Sequence, residues 1–304
     1  MDRKQQLDNI PTSWLSRTSK LSKLAAGTAS RMVSGRIKSV GQTEAQKQKH
    51  RASDFNAIAE TLRDEFGEMK GLVMKVGQLA SFMNGALPDG AQEILQSLQD
   101  STPAMNFAMV KKTIEEDFGR PITDLYATFD PQPLAAASIG QVHRATLHDG
   151  TEVAVKIQYP GILKTMDTDM SNIKMVAPLL GKLLGANDVD VLLQEILDRS
   201  KEECDYRLEA KNQQVFYDHF LDHHAVVIPK VFHNHCSERV LTTEFFAAKK
   251  FRSFLMTSTQ DERDKAASTI HWFTMASIFQ LRKFNADPHP GNYLFIDGQV
   301  VFLD

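Results

Sequence analysis

Apolar residues recur along the chain at two spacings, and the switch between them divides it. Over 54–83, Phe55, Ile58, Leu62, Phe66, Met69, Val73, Leu79 and Phe82 stand three and four apart, the stripe of an amphipathic helix. Leu87-Pro88-Asp89-Gly90 ends that unit; 91–98 reads as a second helix and 107–118 as a third, before Gly119 and Pro121. The character changes at Pro131. Runs 139–147 and 153–157 are β-prone, with His148-Asp149-Gly150 as the turn between them, and Pro160-Gly161 ends the hairpin. Helical spacing returns over 162–184 and again over about 189–216. Two short β-prone runs, 225–232 and 239–246, precede a long helix over 261–284. A last hairpin, 293–296 with 300–303, turns at Asp297-Gly298. There is no internal repeat.

Composition narrows the class. With 304 residues, 42% hydrophobic and 24% charged, the chain has a globular profile, which excludes collagen-like, low-complexity and wholly disordered classes. No run of about 18 apolar residues is present to make a transmembrane helix. Cys204 and Cys236 form no disulfide framework and no metal-ligand spacing, which suits a reducing cytosol. Charge is unevenly spread. Residues 1–51 hold 11 Lys/Arg and 3 Asp/Glu, a local charge of +8, which leaves −11 on the other 253. In this arm Trp14, Leu21, Leu24 and Met32 alternate with Arg17, Lys20, Lys23 and Arg31 at near-helical spacing. That describes either a helix lying on an anionic membrane or a solvated tail. Nothing in it resembles a secretory signal or interleaves aromatics as a nucleic-acid-binding module does.

Four segments could carry chemistry. Val153-Ala154-Val155-Lys156 ends an apolar strand on a lysine, most simply a side chain reaching water, otherwise one meeting an acid or a phosphate. Upstream, Ala135-Ala136-Ala137-Ser138-Ile139-Gly140 opens a strand with small residues, which lets backbone approach a ligand as glycine-rich phosphate loops do. Alanine makes such a loop stiffer. In Glu203-Cys204-Asp205-Tyr206-Arg207-Leu208-Glu209, Asp205 and Glu209 fall on one helix face, and a helical acid is what a strand lysine needs to be fixed. Asp287, then Asn292 five residues on, then Asp304 ending an apolar strand supply a positioning carboxylate and two hard oxygen ligands suited to Mg²⁺ on nucleotide phosphates. His289, between two prolines, lacks companions for zinc and reads as structural.

In chain order these make the protein-kinase set, yet without Gly-x-Gly-x-x-Gly or His-Arg-Asp. With Lys75-Val76-Gly77-Gln78, Gln141-Val142-His143, Val155-Lys156-Ile157-Gln158-Tyr159-Pro160-Gly161 and Glu209-Ala210, the chain over 54–304 resembles the UbiB-type atypical kinases. These are the aarF-domain kinases, which include ubiquinone-biosynthesis members. The resemblance implies an α+β, protein-kinase-like fold with a helical N-terminal extension. Its segments would be a basic arm (1–50), the extension (51–128), an N-lobe (129–246) and the start of a C-lobe (247–304).

The resemblance further implies ATP or ADP with Mg²⁺ as cofactors. Lys156 would contact the phosphates and pair with Glu209, Asp287 would be the catalytic aspartate, and Asn292 and Asp304 would hold the metal. Residues 135–140 and Glu244 would line the nucleotide. Lys75, Gly77 and Gln78 would lie against Glu203 and Asp205, closing the groove through which ordinary kinases admit a peptide. The function implied is ATP hydrolysis supporting isoprenoid quinone biosynthesis at a membrane, with a nucleotide-dependent scaffold or lipid-handling protein as the alternative. Isoprenoid lipid and quinone-biosynthesis enzymes would be partners. The place would be peripheral to a bacterial inner membrane from the cytoplasm, or the mitochondrial matrix side. The family's pattern continues past Asp304 with Phe-Gly and further helices. The C-terminal lobe is therefore expected to be incomplete, with Ile270, Phe273, Ile278 and Leu281 bare and these 304 residues poorly soluble and nearly inactive.

Overall fold

A computed structural model of the chain describes residues 105–137, 139–164, 166, 189–284 and 289–303. The basic arm, the helices expected over 54–98 and most of the one expected over 162–184 lie outside the described residues. The chain divides into two compact units. Their described parts are 105–113, 135–137, 139–141, 158–164, 166 and 189–204 in the first, and 114–134, 142–157, 205–284 and 289–303 in the second.

Helix α1 (Phe107–Phe118) starts where Asn106 Oδ1 accepts the Met109 amide at 2.9 Å. It ends where Gly119, at φ +65°, gives its N–H to the Glu115 carbonyl at 2.9 Å. Val110 and Ile114, one turn apart, are its fully buried stripe. A short helix α2 (Ile122–Leu125) leads into strands β1 (Thr128–Ala136), β2 (Gly140–Thr146) and β3 (Glu152–Gln158). Helices α3 (Val189–Glu202) and α4 (Tyr206–Phe220) precede strands β4 (Val226–Val227) and β5 (Val240–Glu244). Then come β6 (Lys249–Lys250), helices α5 (Phe251–Thr257) and α6 (Gln260–Ala276), and the hairpin of β7 (Tyr293–Ile296) and β8 (Gln299–Phe302).

One sheet runs β1-β2-β3-β5. Along β3 the side chains alternate: Val153, Val155 and Ile157 are fully buried, while Ala154 and Lys156 on the other face are half-buried. β5 pairs antiparallel with β3, Lys156 opposite Leu241 and Val153 opposite Glu244. β1 was not evident from sequence, because Pro131 and Pro133 lie inside it. It is the sheet's edge strand, the position where missing amide donors are tolerated.

The second sheet runs β4-β8-β7-β6, with β4 parallel to β8 and β7 antiparallel to it. Asp297 and Gly298 both have positive φ, +49° and +78°, the two-residue turn an Asp-Gly pair favours. The expected 225–232 strand shrinks to β4. The expected 261–284 helix is shorter too: α6 opens with a capping box of Thr259 and Glu262 and ends at Ala276. A π-turn, Ser277–Leu281, then closes at Arg282 with φ +55°. Beneath lies an apolar core of Phe220, Val226, Phe273, Phe295, Val300 and Phe302, with Ile270 and Leu281 packed against it. Ile270, Phe273 and Leu281 are thus covered, contrary to the sequence expectation, because β7–β8 and α4 meet that face. Ile278 and Phe279 stay exposed, at 38% and 75%.

Burial lowers the pKa of three imidazoles in this fold. His223 Nδ1 accepts the amides of Ala225 and Val226 at 3.2 and 3.0 Å, which requires a neutral ring. Burial, then His224 beside it, holds His223 below the ordinary 6.5. Burial depresses His143 and His235 as well. The unfolded chain therefore takes up these protons more readily than the folded one. Their contribution is complete above about pH 6.5 and is lost as pH falls toward the depressed values. Denaturant titrations at pH 7.5 and 5.5 should show a lower midpoint at 5.5, less so in His223→Asn; equal midpoints would refute this.

Candidate functional site

Two of the expected site residues of the second unit meet where β3 faces the start of α4. Lys156 Nζ lies 2.7 Å from Glu209 Oε1, and both side chains are largely buried, 19% and 17% exposed. The Tyr206 ring faces the same ammonium at 5.0 Å, a cation–π contact that also favours the charged amine. Lys156 is thus held between an acid and an aromatic face.

The helix that presents Glu209 does not run on from the one before it. Asp205 (φ −104°, ψ 90°) is the N-cap of α4, and its Oδ1 accepts the amides of Arg207 and Leu208 at 3.0 and 3.3 Å. The expected single helix over 189–216 is corrected to two, and Asp205 and Glu209 do not share a helix face. Asp205 is a short acid able to take the free amides of a helix start, so it begins a new helix after the turn at 203–204. The Asp205 carbonyl accepts from Glu209 N at 3.1 Å and the Glu238 carbonyl from Tyr206 N at 3.1 Å. All four leading amides of α4 are satisfied, which fixes Glu209 in its first turn.

Asn292 ends a 3₁₀ turn, Pro290–Asn292, where its N–H bonds the His289 carbonyl at 2.9 Å. His289 Nδ1 accepts the Gly291 amide at 3.0 Å, so the histidine shapes the loop. A side chain at Gly291 would meet that ring nitrogen at 2.9 Å, which explains the glycine. Leu303 N donates to the Asn292 carbonyl at 2.9 Å, closing the hairpin beside Asn292. Lys283 Nζ reaches Asn212 Oδ1 at 3.1 Å, joining the chain before this loop to the helix of Glu209. Glu244, the last residue of β5, gives its N–H to the Lys230 carbonyl at 2.9 Å. Burial pushes the Cys236 thiol up to about 11, against a backbone hydrogen bond at Thr242 that lowers it, and the Glu209 carboxylate adds to the rise.

In the first unit, Ala137 and Gly140 exchange backbone bonds of 2.9 and 3.4 Å across the turn between β1 and β2. Ala135 and Ala136 are exposed, Ala137 half-buried, and Ile139 and Gly140 buried. Glu203 is half-buried after α3, and the adjacent Cys204 carbonyl accepts the buried Gln158 amide at 2.8 Å. Lys75, Gly77, Gln78, Ser138, Asp287 and Asp304 lie outside the described residues. Sequence reading missed Tyr206 as a partner of Lys156, although it stands inside the acidic motif. It also missed Asp117, whose signal was an acid in the last turn of a helix, against the dipole.

A strand lysine clamped by a helical acid, with an asparagine loop and a short hairpin after it, defines a kinase-like protein. Residues 97–304 match the model of the ABC1 atypical kinase-like domain. The chain belongs to the ABC1 atypical kinase-like family, also called the UbiB family. It is 34% identical over 269 residues to the chloroplastic protein Activity of BC1 complex kinase 7 of Arabidopsis thaliana, covering 87% of this chain and 38% of that one. It is 29% identical to the mitochondrial atypical kinase COQ8 of Saccharomyces cerevisiae, covering 94% and 57%. With the mitochondrial atypical kinase COQ8B of Rattus norvegicus the identity is 32%, covering 82% and 47%. The chain thus spans between about two fifths and three fifths of the length of these relatives. A solved structure of Rv3197 with erythromycin, from Mycobacterium tuberculosis, is 31% identical and superposes with a TM-score of 0.58, covering 84% of this chain and 66% of that one. Among the described residues no helix is long and apolar enough to cross a membrane.

Proposed function

We propose that the protein binds Mg²⁺-ATP and hydrolyses it in support of isoprenoid quinone biosynthesis, at a membrane surface that its basic arm contacts. The Lys156–Glu209 pair carries this reading: an ammonium held at 2.7 Å by a helical acid, on the half-buried face of β3, is placed to meet phosphate oxygens. The donor chemistry fits the cofactor. Asn292 offers a carboxamide oxygen and Asp304 a carboxylate, the hard ligands Mg²⁺ takes, and the metal would neutralise charge on the phosphates. Lys156 would orient the nucleotide and Asp287 the attacking group, while Glu244 would border the nucleotide. COQ8 and COQ8B, named as atypical kinases, support the assignment to phosphoryl chemistry. Lys75 and Gln78 would keep peptides out, which favours hydrolysis over protein phosphorylation.

Phosphate release by the purified full-length protein tests it, with anionic or neutral vesicles at low and high salt. Hydrolysis is expected to rise on anionic vesicles at low salt, since each Lys or Arg near such a surface contributes roughly 1 kcal/mol that salt screens. Asp287→Asn should lower it at least about a hundredfold. Nucleotide binding with no release above that variant would instead make the protein a nucleotide-dependent scaffold.

A further inference from the structure

We infer that Asp117 is a positioning residue for the Lys156–Glu209 pair, acting through the turn at Ser237–Arg239 and the first turn of α4. The last turn of α1 carries Glu115, Glu116 and Asp117 and no base, so its carboxylates face the negative end of the helix dipole. Such a placement is unfavourable without a cationic partner, and Arg239 supplies one. Asp117 Oδ1 accepts from Arg239 Nε and Nη2 at 2.8 and 2.5 Å, a two-pronged, charge-assisted contact. Asp117 Oδ2 accepts from Ser237 Oγ at 2.6 Å and from Arg239 N at 3.2 Å. Ser237 Oγ in turn accepts the Val240 amide at 3.0 Å, where β5 begins. One carboxylate, 11% exposed, is therefore wrapped by a whole turn.

The middle residue of that turn is the link. The Glu238 carbonyl accepts Tyr206 N at 3.1 Å, the leading amide of α4. The ring of this same tyrosine faces Lys156, and Glu209 stands one turn further on. If Asp117 lets the turn go, Glu238 withdraws its carbonyl and the start of α4 loosens where the acid must meet the lysine. A displacement near 1 Å at such a constellation can cost on the order of a hundredfold in rate.

The inference rests on the nucleotide reading for its functional readout, so the test has two arms. Hydrogen exchange would be followed in the protein as purified, in wild type, Asp117→Asn and Arg239→Lys. Mg²⁺-ATP affinity would be measured alongside, with Lys156→Met as reference. Asp117→Asn, which keeps the shape and avoids the unfolding that Asp117→Ala risks, should speed exchange of the 206–209 amides about tenfold and weaken Mg²⁺-ATP binding by a similar factor. Amides of β7 and β8 should keep their protection, and Arg239→Lys should fall between. Unchanged exchange at 206–209, or a rise shared equally by β7 and β8, would overturn the inference, the second by making Asp117 a general clamp. A local rise with intact affinity, where Lys156→Met has lost it, would overturn it too. Should Lys156→Met itself bind normally, the nucleotide reading fails, and the exchange data still decide the coupling.

Discussion

Lys156→Met is expected to abolish nucleotide turnover and to destabilise the protein by about 3 kcal/mol, the low end for breaking a largely buried ion pair. The cost arises because Glu209, 17% exposed, would lose the ammonium 2.7 Å from its carboxylate while staying largely out of water. Replacing both partners separates structure from chemistry. Lys156→Met with Glu209→Leu should recover most of the lost stability, because an apolar pair of similar volume carries no desolvation penalty. It should recover none of the turnover. Urea titrations at neutral pH and phosphate release on the same samples check this; turnover surviving in Lys156→Met would remove the lysine from the chemistry.

Phe273→Ala is the other large effect, a loss of about 3–5 kcal/mol by removing a core aromatic. Phe273 is 4% exposed and stacks on Phe302 at 3.8 Å between ring centres, with Phe220 at 5.0 Å. The damage should spread along one path. Phe302 precedes Leu303, whose amide holds the Asn292 carbonyl, so a slackened Phe302 unsettles the loop of Asn292. Thermal melts and exchange of the β7 and β8 amides should both register it. Phe279→Ala, at a residue 75% exposed, should stay within about 0.5 kcal/mol of wild type. Equal losses in the two variants would place the core elsewhere.

Much of this architecture was legible because its signals are local. The β2–β3 and β7–β8 hairpins announced themselves by a glycine turn between apolar runs, and α1 by its stripe and its terminal Gly119. The lysine strand and the acidic motif were readable as chemistry, with Glu209 the acid for Lys156. What sequence could not give was decided by pairing and capping. β1 reads as loop because its prolines count against a strand until the neighbour makes it an edge. The break at Asp205 hides inside continuous helical spacing, since an acid that caps and an acid on a face look alike until the backbone turns. Likewise the end of α6 depends on a π-turn and a left-handed Arg282, neither of which has a residue signature. Asp117 needed a partner 122 positions away, and no local pattern points that far.

The parallel pairing of β4 with β8 has a bearing on how the chain is made. Val226 pairs with Val300, 74 positions later, and everything between must be synthesised before that ladder can close. At ribosomal speeds of about 5–20 residues per second, the wait is roughly 4–15 seconds. The β2–β3 hairpin, by contrast, closes within microseconds of its emergence. During the longer interval Phe220 and Phe273 have no strands to cover them, so a nascent chain halted between 276 and 300 presents a bare aromatic surface to whatever is near. Holdase binding should therefore concentrate on translation intermediates of that length and vanish once Phe302 has emerged.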